Sequence, residues 1–95
     1  MAALPSTKPK KTADRAAARF PLYKVLLHND DRNSMDHVVN ALMRVFKFER
    51  PLCERIMLEA HQRGVALCIV EPLEQAEFHR DQLQSFSLTA TIEAE

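Results

Sequence analysis

The sequence has little cysteine and no group of residues typical of a metal site. Only two cysteines occur among the 95 residues, Cys53 and Cys68, and neither belongs to a Cys-x-x-Cys pair. There is no His-Glu-x-x-His motif and no cluster of cysteine with histidine. Because free cysteine is usually buried, we predict two buried, reduced thiols, as in proteins of a cytosolic type of compartment. We predict no metal and no other cofactor.

Long apolar stretches are also missing from the sequence. No stretch approaches the ~20 apolar residues that a membrane-spanning helix needs, and no secretory signal segment is recognisable. We therefore predict no membrane partner. Hydrophobic residues still make up 46% of the chain, which argues against wholesale disorder, and the length leaves room for one domain.

The net charge of zero hides an asymmetry between the two parts of the chain. Residues 1–20 carry a net charge of +4, whereas residues 21–95 carry a net charge of −4. A nucleic-acid binder needs a basic face, so residues 21–95 are not expected to bind nucleic acid. Residues 1–20 contain proline and lysine but few bulky apolar side chains, which predicts a flexible basic N-terminal arm. We predict that residues 21–95 form the folded core.

A strand, a polar loop and a helix are predicted from residues 23–38, YKVLLHNDDRNSMDHV. Tyr23, Val25 and Leu27 alternate with other residues at the period of a strand. The polar run from Asn29 to Asp31 ends the strand, because short acid and amide side chains favour turns. A helix then begins at Met35, with either Asn33 or Ser34 as its N-cap.

The rest of the chain predicts two more helices and two more strands. Pro51 suits the first position of a second helix, and Gly64 suits its end. The continuous apolar run from Val65 to Val70 predicts a buried central strand. Pro72 opens a third helix to about Ser85, with an apolar stripe of Leu73, Ala76, Phe78 and Leu83. A last strand covers Leu88 to Ile92. The order β-α-α-β-α-β predicts an α+β fold, but the pattern leaves the strand pairing open.

The segment from Tyr23 to Val38 resembles the signature of the ClpS family, whose members are adaptors of ATP-dependent Clp proteases. The similarity continues through Met57-Leu58-Glu59-Ala60-His61, Gly64 and the apolar run that follows, and it covers residues 23–95. The resemblance implies a small three-stranded antiparallel sheet packed against three helices in a sandwich. It also implies a monomeric protein without enzymatic activity that binds substrates with destabilising N-terminal residues.

The resemblance implies a binding site for the first residue of a substrate. A free N-terminus has a pKa of about 7.7–8.0 and is mostly a cation with three donors, so it needs several acceptors. By resemblance, Asn29, Asp30 and His61 bind this α-amino group, while Asp31 supports the loop or contacts the peptide backbone. The implied hydrophobic pocket for the substrate side chain comprises Met35, Val38, Met57, Ala60 and Leu88. Relatives have a larger aliphatic residue at the position of Ala60, so the preferred first residue among Leu, Phe, Tyr and Trp stays open.

The resemblance also implies partners and a compartment. The expected partner is the N-terminal domain of an ATPase of the ClpA or ClpC type, contacted through Glu74 and His79. The N-terminal arm is expected to be engaged by this ATPase during substrate transfer. The expected location is the bacterial cytoplasm, or the plastid stroma in a photosynthetic eukaryote.

Two other classes of protein function remain open for the same residues. An enzyme could use Asp30, Asp31 and His61 as a metal site or acid–base pair, but no further ligand or nucleophile accompanies them in the sequence. A general protein-interaction domain with the topology of a ribosomal stalk protein would not need the polar cluster at all. In that case the polar residues only shape a turn and His61 only ends a helix.

Overall fold

The computed structural model describes residues 21–95, and the predicted N-terminal arm lies outside the described residues. Three strands and three helices follow one another in the predicted order β-α-α-β-α-β. They are β1 Leu22–His28, α1 Met35–Phe46, α2 Arg50–Arg63, β2 Val65–Pro72, α3 Leu73–Ser85 and β3 Thr89–Ala94. The predicted α+β fold is therefore confirmed.

The strands form one antiparallel sheet in the order β2-β1-β3. The antiparallel pairing is confirmed, but the prediction of β2 as a buried central strand is wrong. β1 is central, and β2 lies at an edge with Val65 and Leu67 exposed by 38% and 46%. The sequence of β2 shows no alternation of apolar and polar residues, because apolar side chains occupy its solvent-facing positions as well as its buried ones.

The pairing of β1 brings three chain segments together at one end of the sheet. His28, the last residue of β1, lies opposite Val65 at the start of β2 and opposite Thr89 at the start of β3. The loop that follows His28 is therefore adjacent to the end of α2 on one side and to the α3–β3 turn on the other. This end of the sheet carries the candidate site.

The ends of the helices follow local sequence signals. Ser34 is the N-cap of α1, and its Oγ accepts a 3.1 Å hydrogen bond from the His37 N–H, which decides between the two predicted caps. The second helix begins at Arg50, so Pro51 is its second residue, one position later than predicted. Gly64 ends α2 in the left-handed conformation, with φ of 92°, as predicted.

The hydrophobic core lies between the sheet and the helices. It contains Val25 from β1, Leu42 from α1 and Leu83 from α3, none of which is exposed to solvent. The predicted apolar stripe of α3 is only partly correct, because Leu73 and Phe78 are exposed by 40% and 59%.

Both cysteines are free and buried, as predicted. Cys53 lies in α2 and Cys68 in β2, and both belong to the hydrophobic core. Burial raises the pKa of the Cys53 thiol and raises that of Cys68 to about 12. Both thiols are therefore protonated and unreactive at neutral pH. Within residues 21–95, no helix is long and apolar enough to cross a membrane.

Candidate functional site

The loop after β1 is organised around the carboxylate of Asp30. Its Oδ1 accepts hydrogen bonds from the backbone N–H groups of Arg32 and Asn33, both at 3.0 Å. The Asn33 side-chain amide donates to Oδ1 and to Oδ2, both at 3.1 Å. These contacts fix the turn that leads from β1 to the N-cap of α1.

Hydrogen bonding gives Asp30 a shifted pKa. Burial alone raises the pKa of this carboxyl, but the hydrogen bonds from Asn33 and Arg32, with the nearby Arg32 charge, outweigh burial. The net result is a pKa below the usual 3.8. Asp30 is therefore ionised at neutral pH, and Oδ2 has acceptor capacity beyond its single hydrogen bond to Asn33.

Two further hydrogen bonds attach this loop to its neighbours. The backbone N–H of Asn29 donates to the carbonyl oxygen of Gly64 at 3.0 Å, immediately after α2. The Nδ2 of Asn33 donates to the carbonyl oxygen of Ser87 at 2.8 Å, in the α3–β3 turn. The polar loop is thus held from both sides, and one of these attachments places Asn29 next to the last turn of α2, which carries His61.

A cavity opens between this loop, α1 and α2. It contains about 360 Å³ of space not filled by protein atoms, including the part open to solvent. Its lining combines polar and apolar side chains from the predicted site: Asn29, Asp30, Met35, Val38, Met57, Ala60 and His61. Met35 is 49% exposed, whereas Ala60 is buried. Side chains that are far apart in the sequence therefore meet around one space.

Two predicted site residues do not line this cavity. Asp31 is exposed in the loop, and Leu88 is only 4% exposed and belongs to the hydrophobic core. Three residues without a predicted role in the pocket also line it, namely Leu27, His28 and Asn33. Asn33 was only a candidate helix cap. The available signal was its position three residues after Asp30, the spacing at which an amide can bond back to a carboxylate.

Comparisons with known proteins show the family of this chain. The family model of ClpS, the ATP-dependent Clp protease adaptor protein, matches residues 18–91. An ATP-dependent Clp protease adapter protein ClpS from Gloeobacter violaceus is 49% identical over 75 residues, which cover 78% of this chain and 81% of that protein. The chain belongs to the ClpS family. Members of this family are adaptors of Clp protease, a role in proteolysis that implies binding and no catalysis of their own.

The chain is also similar to a chloroplastic relative and to a solved structure with a bound ligand. CLPS1 of Chlamydomonas reinhardtii, a chloroplastic adapter protein, is 39% identical over 90 residues, which cover 90% of this chain and 54% of that protein. The structure of Agrobacterium tumefaciens ClpS2 bound to L-phenylalaninamide matches with a TM-score of 0.74 and 32% identity. That match covers 79% of this chain and 98% of the Agrobacterium chain, so the ClpS fold is shared over nearly the whole described part.

The two residues that the ClpS resemblance connects with the ATPase differ in their surroundings. Glu74 is exposed in the first turn of α3. The Nδ1 of His79 lies 2.6 Å from Oε2 of Glu71, a side chain that is buried at the end of β2. The His79 ring also lies against Phe46, with the ring centroids 4.9 Å apart. Glu74 is thus available to a partner, whereas one nitrogen of His79 is used within the domain.

No metal site is apparent in residues 21–95. No three side chains of histidine, cysteine, aspartate or glutamate in that range are placed to hold a metal ion together. Asp30, Asp31 and His61 do not form such a group, and the Asp30 carboxylate is instead bonded to Arg32 and Asn33.

Proposed function

We propose that this ClpS-family adaptor binds proteins that begin with a destabilising, bulky hydrophobic residue and delivers them to a Clp ATPase for degradation. The observation that carries the proposal is the composition of the cavity. Acceptors for a cationic amino group, Asn29, Asp30 and His61, line the same space as apolar side chains from α1 and α2. A free N-terminal residue such as leucine is complementary to this lining, because it carries a cationic amino group and an apolar side chain in one amino acid.

In the proposed complex, the substrate's α-amino group lies against the polar side of the cavity. The cation has three donors. The Asn29 side-chain oxygen, the Oδ2 of Asp30 and an unprotonated ring nitrogen of His61 are its acceptors. Asp31, which is exposed and adjacent to them, supports the loop or contacts the substrate backbone. An ionised Asp30 supplies the charge that makes these hydrogen bonds strong.

The first side chain of the substrate enters the apolar part of the cavity. Met35, Val38, Met57 and Ala60 line this part. Methionine is flexible and polarisable, so a half-exposed Met35 can close over side chains of different shapes. Leucine, phenylalanine, tyrosine and tryptophan are the proposed first residues.

The ligand of a related protein supports this reading. L-phenylalaninamide, bound to Agrobacterium tumefaciens ClpS2, has a free α-amino group and a bulky apolar side chain. Both chemical features match the two sides of the cavity described above.

The expected affinity suits an adaptor that must release its cargo. Charge-assisted hydrogen bonds contribute about 1.5–3 kcal/mol each, and burial of one large apolar side chain contributes a similar amount. Association and ordering of the peptide cost several kcal/mol. These opposing terms leave a modest net affinity, so we expect reversible binding.

Fluorescence anisotropy with labelled peptides that differ only in residue one tests this proposal. We expect binding for some of Leu, Phe, Tyr and Trp, weaker binding for Ile and Val, and none for N-acetylated Leu, because acetylation removes the cation. Asn29→Ala and His61→Ala should weaken binding at least about tenfold. Asn40→Ala, a change of another exposed asparagine on α1, is the matched control and should have no effect. Equal affinity for free and acetylated peptides would refute the proposal and favour a general interaction domain.

Delivery requires a second surface, and we propose α3 for it. Glu74 is exposed there and is the proposed contact with the N-terminal domain of a ClpA- or ClpC-type ATPase. His79 contributes from the same helix while bonded to Glu71, and the arm of residues 1–20 assists the transfer. Glu74→Lys should weaken capture of the purified ATPase domain, whereas Glu54→Lys on α2 should not. Unchanged capture by the Glu74 variant would remove this surface from the model.

The adaptor is proposed to act as a monomer in the compartment of its Clp ATPase. Its relatives include bacterial and chloroplastic proteins, so this compartment is the bacterial cytoplasm or the plastid stroma.

A further inference from the structure

A second hollow lies where α3 begins, away from the cavity of the proposed binding site. It is lined by Pro21, Pro72, Leu73, Glu74 and Glu77, and it contains about 730 Å³ of space not filled by protein atoms, including the part open to solvent. A neighbouring hollow continues along the helix to Phe78. We call this surface the α3 hollow.

The α3 hollow combines exposed apolar groups with free acidic groups. Leu73 and Phe78 are exposed by 40% and 59%, and Phe78 is more exposed than any other large hydrophobic side chain in residues 21–95. Glu74 and Glu77 are exposed, and neither forms an ion pair with another described residue. A partner for this surface therefore needs positive charge together with an apolar side chain.

The chain itself carries such a segment directly beside the hollow. Pro21 is part of the lining, so the sequence that precedes it is attached at this surface. Three residues lie within six sequence positions of Pro21, namely Arg15, Arg19 and Phe20. A fully extended segment of six residues reaches up to ~20 Å. The basic part of the chain is thus tethered next to the exposed carboxylates of Glu74 and Glu77.

We propose that residues 15–20 bind the α3 hollow of the same molecule. In this contact Arg15 and Arg19 pair with Glu74 and Glu77, and Phe20 covers Leu73. Each exposed ion pair is weak by itself, but a short tether supplies an effective concentration in the millimolar range. The contact is therefore an equilibrium between bound and released states that depends on salt.

This contact has a regulatory consequence that rests on the proposed function. Glu74 is also the proposed contact for the Clp ATPase, so the bound arm covers the surface that the ATPase needs. Binding of the arm and binding of the ATPase therefore compete for Glu74. The contact between arm and hollow itself does not depend on this role, and it can be tested without the ATPase.

Paramagnetic relaxation in the full chain tests the contact. A nitroxide label is attached to Thr7→Cys at neutral pH, where the buried Cys53 and Cys68 do not react because their pKa values are raised. We expect the amide signals of Leu73, Glu74 and Glu77 to be broadened more than those elsewhere in residues 21–95. Salt of ~0.5 M should reverse the effect, because it shortens the range of charge interactions.

Charge variants separate binding from mere tethering. Glu74→Gln with Glu77→Gln should lower the ratio of bound to released arm about fivefold, because two ion pairs are lost, and the broadening should fall accordingly. Glu54→Gln with Glu59→Gln removes the same charge from α2 and should leave the broadening unchanged. If the Glu74 and Glu77 variant keeps the full broadening, the inference is wrong. Because peptide affinity is not measured, this result does not depend on the proposed function.

Discussion

The backbone N–H of Asn29 donates a 3.0 Å hydrogen bond to the carbonyl oxygen of Gly64. Asn29 begins the polar loop, and Gly64 ends the helix that carries His61, so this one bond joins the two chain segments that provide the polar side of the cavity. The bond depends on the direction of the Gly64 peptide group, which follows from the left-handed backbone of this residue. A helix end thus helps to position a binding site.

Gly64→Ala should therefore affect both stability and binding. A Cβ at this position would meet no atom within 4 Å, so the cost is backbone strain of roughly 1–2 kcal/mol rather than a clash. Urea denaturation measures the loss of stability, and peptide anisotropy measures any loss of affinity. Lys47, which has φ of 62° at the end of α1, is the matched control. Lys47→Gly relieves the same strain and should not destabilise the protein, and a Gly64→Ala variant as stable as wild type would contradict the argument.

Asp30→Asn should remove part of the pH dependence of stability. The pKa of Asp30 is lowered from 3.8 in the folded state, so its ionised form stabilises the fold above that value, and this stabilisation is lost as the pH falls through the folded pKa. At neutral pH the variant should be less stable by on the order of 1–2 kcal/mol, because the amide cannot accept the same hydrogen bonds. At pH of about 3 or below the difference from wild type should shrink. Urea titrations at both pH values measure this, and a constant difference would be inconsistent with the shift.

Met35→Ala should reduce peptide affinity with little effect on stability. Met35 is half exposed at the cavity, so closing over a ligand buries about half of a methionine side chain. Removing that contact should cost ~1 kcal/mol, or about fivefold in affinity. Leu58→Ala is the control, because Leu58 is 43% exposed on α2 and does not line the cavity. Equal affinity of the two variants would show that Met35 makes no contact with the ligand.

Local signals in the sequence predicted the elements well, but they did not predict which strand is central. Ser34, Gly64 and the order of elements depend on residues close to one another along the chain. The position of β2 depends on where β3 returns after α3, which apolar content alone does not encode. Phe78 was predicted to lie on the apolar stripe of α3, but an apolar residue on a helix does not by itself show which face of the helix packs against the core.

The candidate site was predicted mainly from resemblance, and the structure adds how its parts are held. The polar run at the end of β1 was visible as a turn, but its approach to His61 requires the sheet register and the bond to Gly64. The side-chain amide of Asn33 donates hydrogen bonds both to Asp30 and to Ser87. Ser87 lies 54 positions away in the sequence. Sequence spacing could not have indicated that contact.

The pair of Glu71 and His79 provides a last prediction, which separates a structural role from a role in binding the ATPase. Glu71 is only 7% exposed, and among residues 21–95 its side chain bonds only to His79. His79→Ala leaves a buried carboxylate without its partner, which should cost about 2 kcal/mol in the free energy of unfolding. Replacing both residues by leucine removes the unpaired group and should restore most of that loss.

Comparing the two variants assigns the role of His79. If His79 acts only within the domain, the double leucine variant should be nearly as stable as wild type and should bind the ATPase domain normally. If His79 also contacts the ATPase, binding should stay weak in the stable double variant, because the imidazole is still absent. Urea denaturation gives the stability, and capture of the ATPase domain gives the binding. A His79→Ala protein with unchanged stability would mean that the 2.6 Å contact with Glu71 contributes nothing to the fold, in conflict with the burial of its carboxylate.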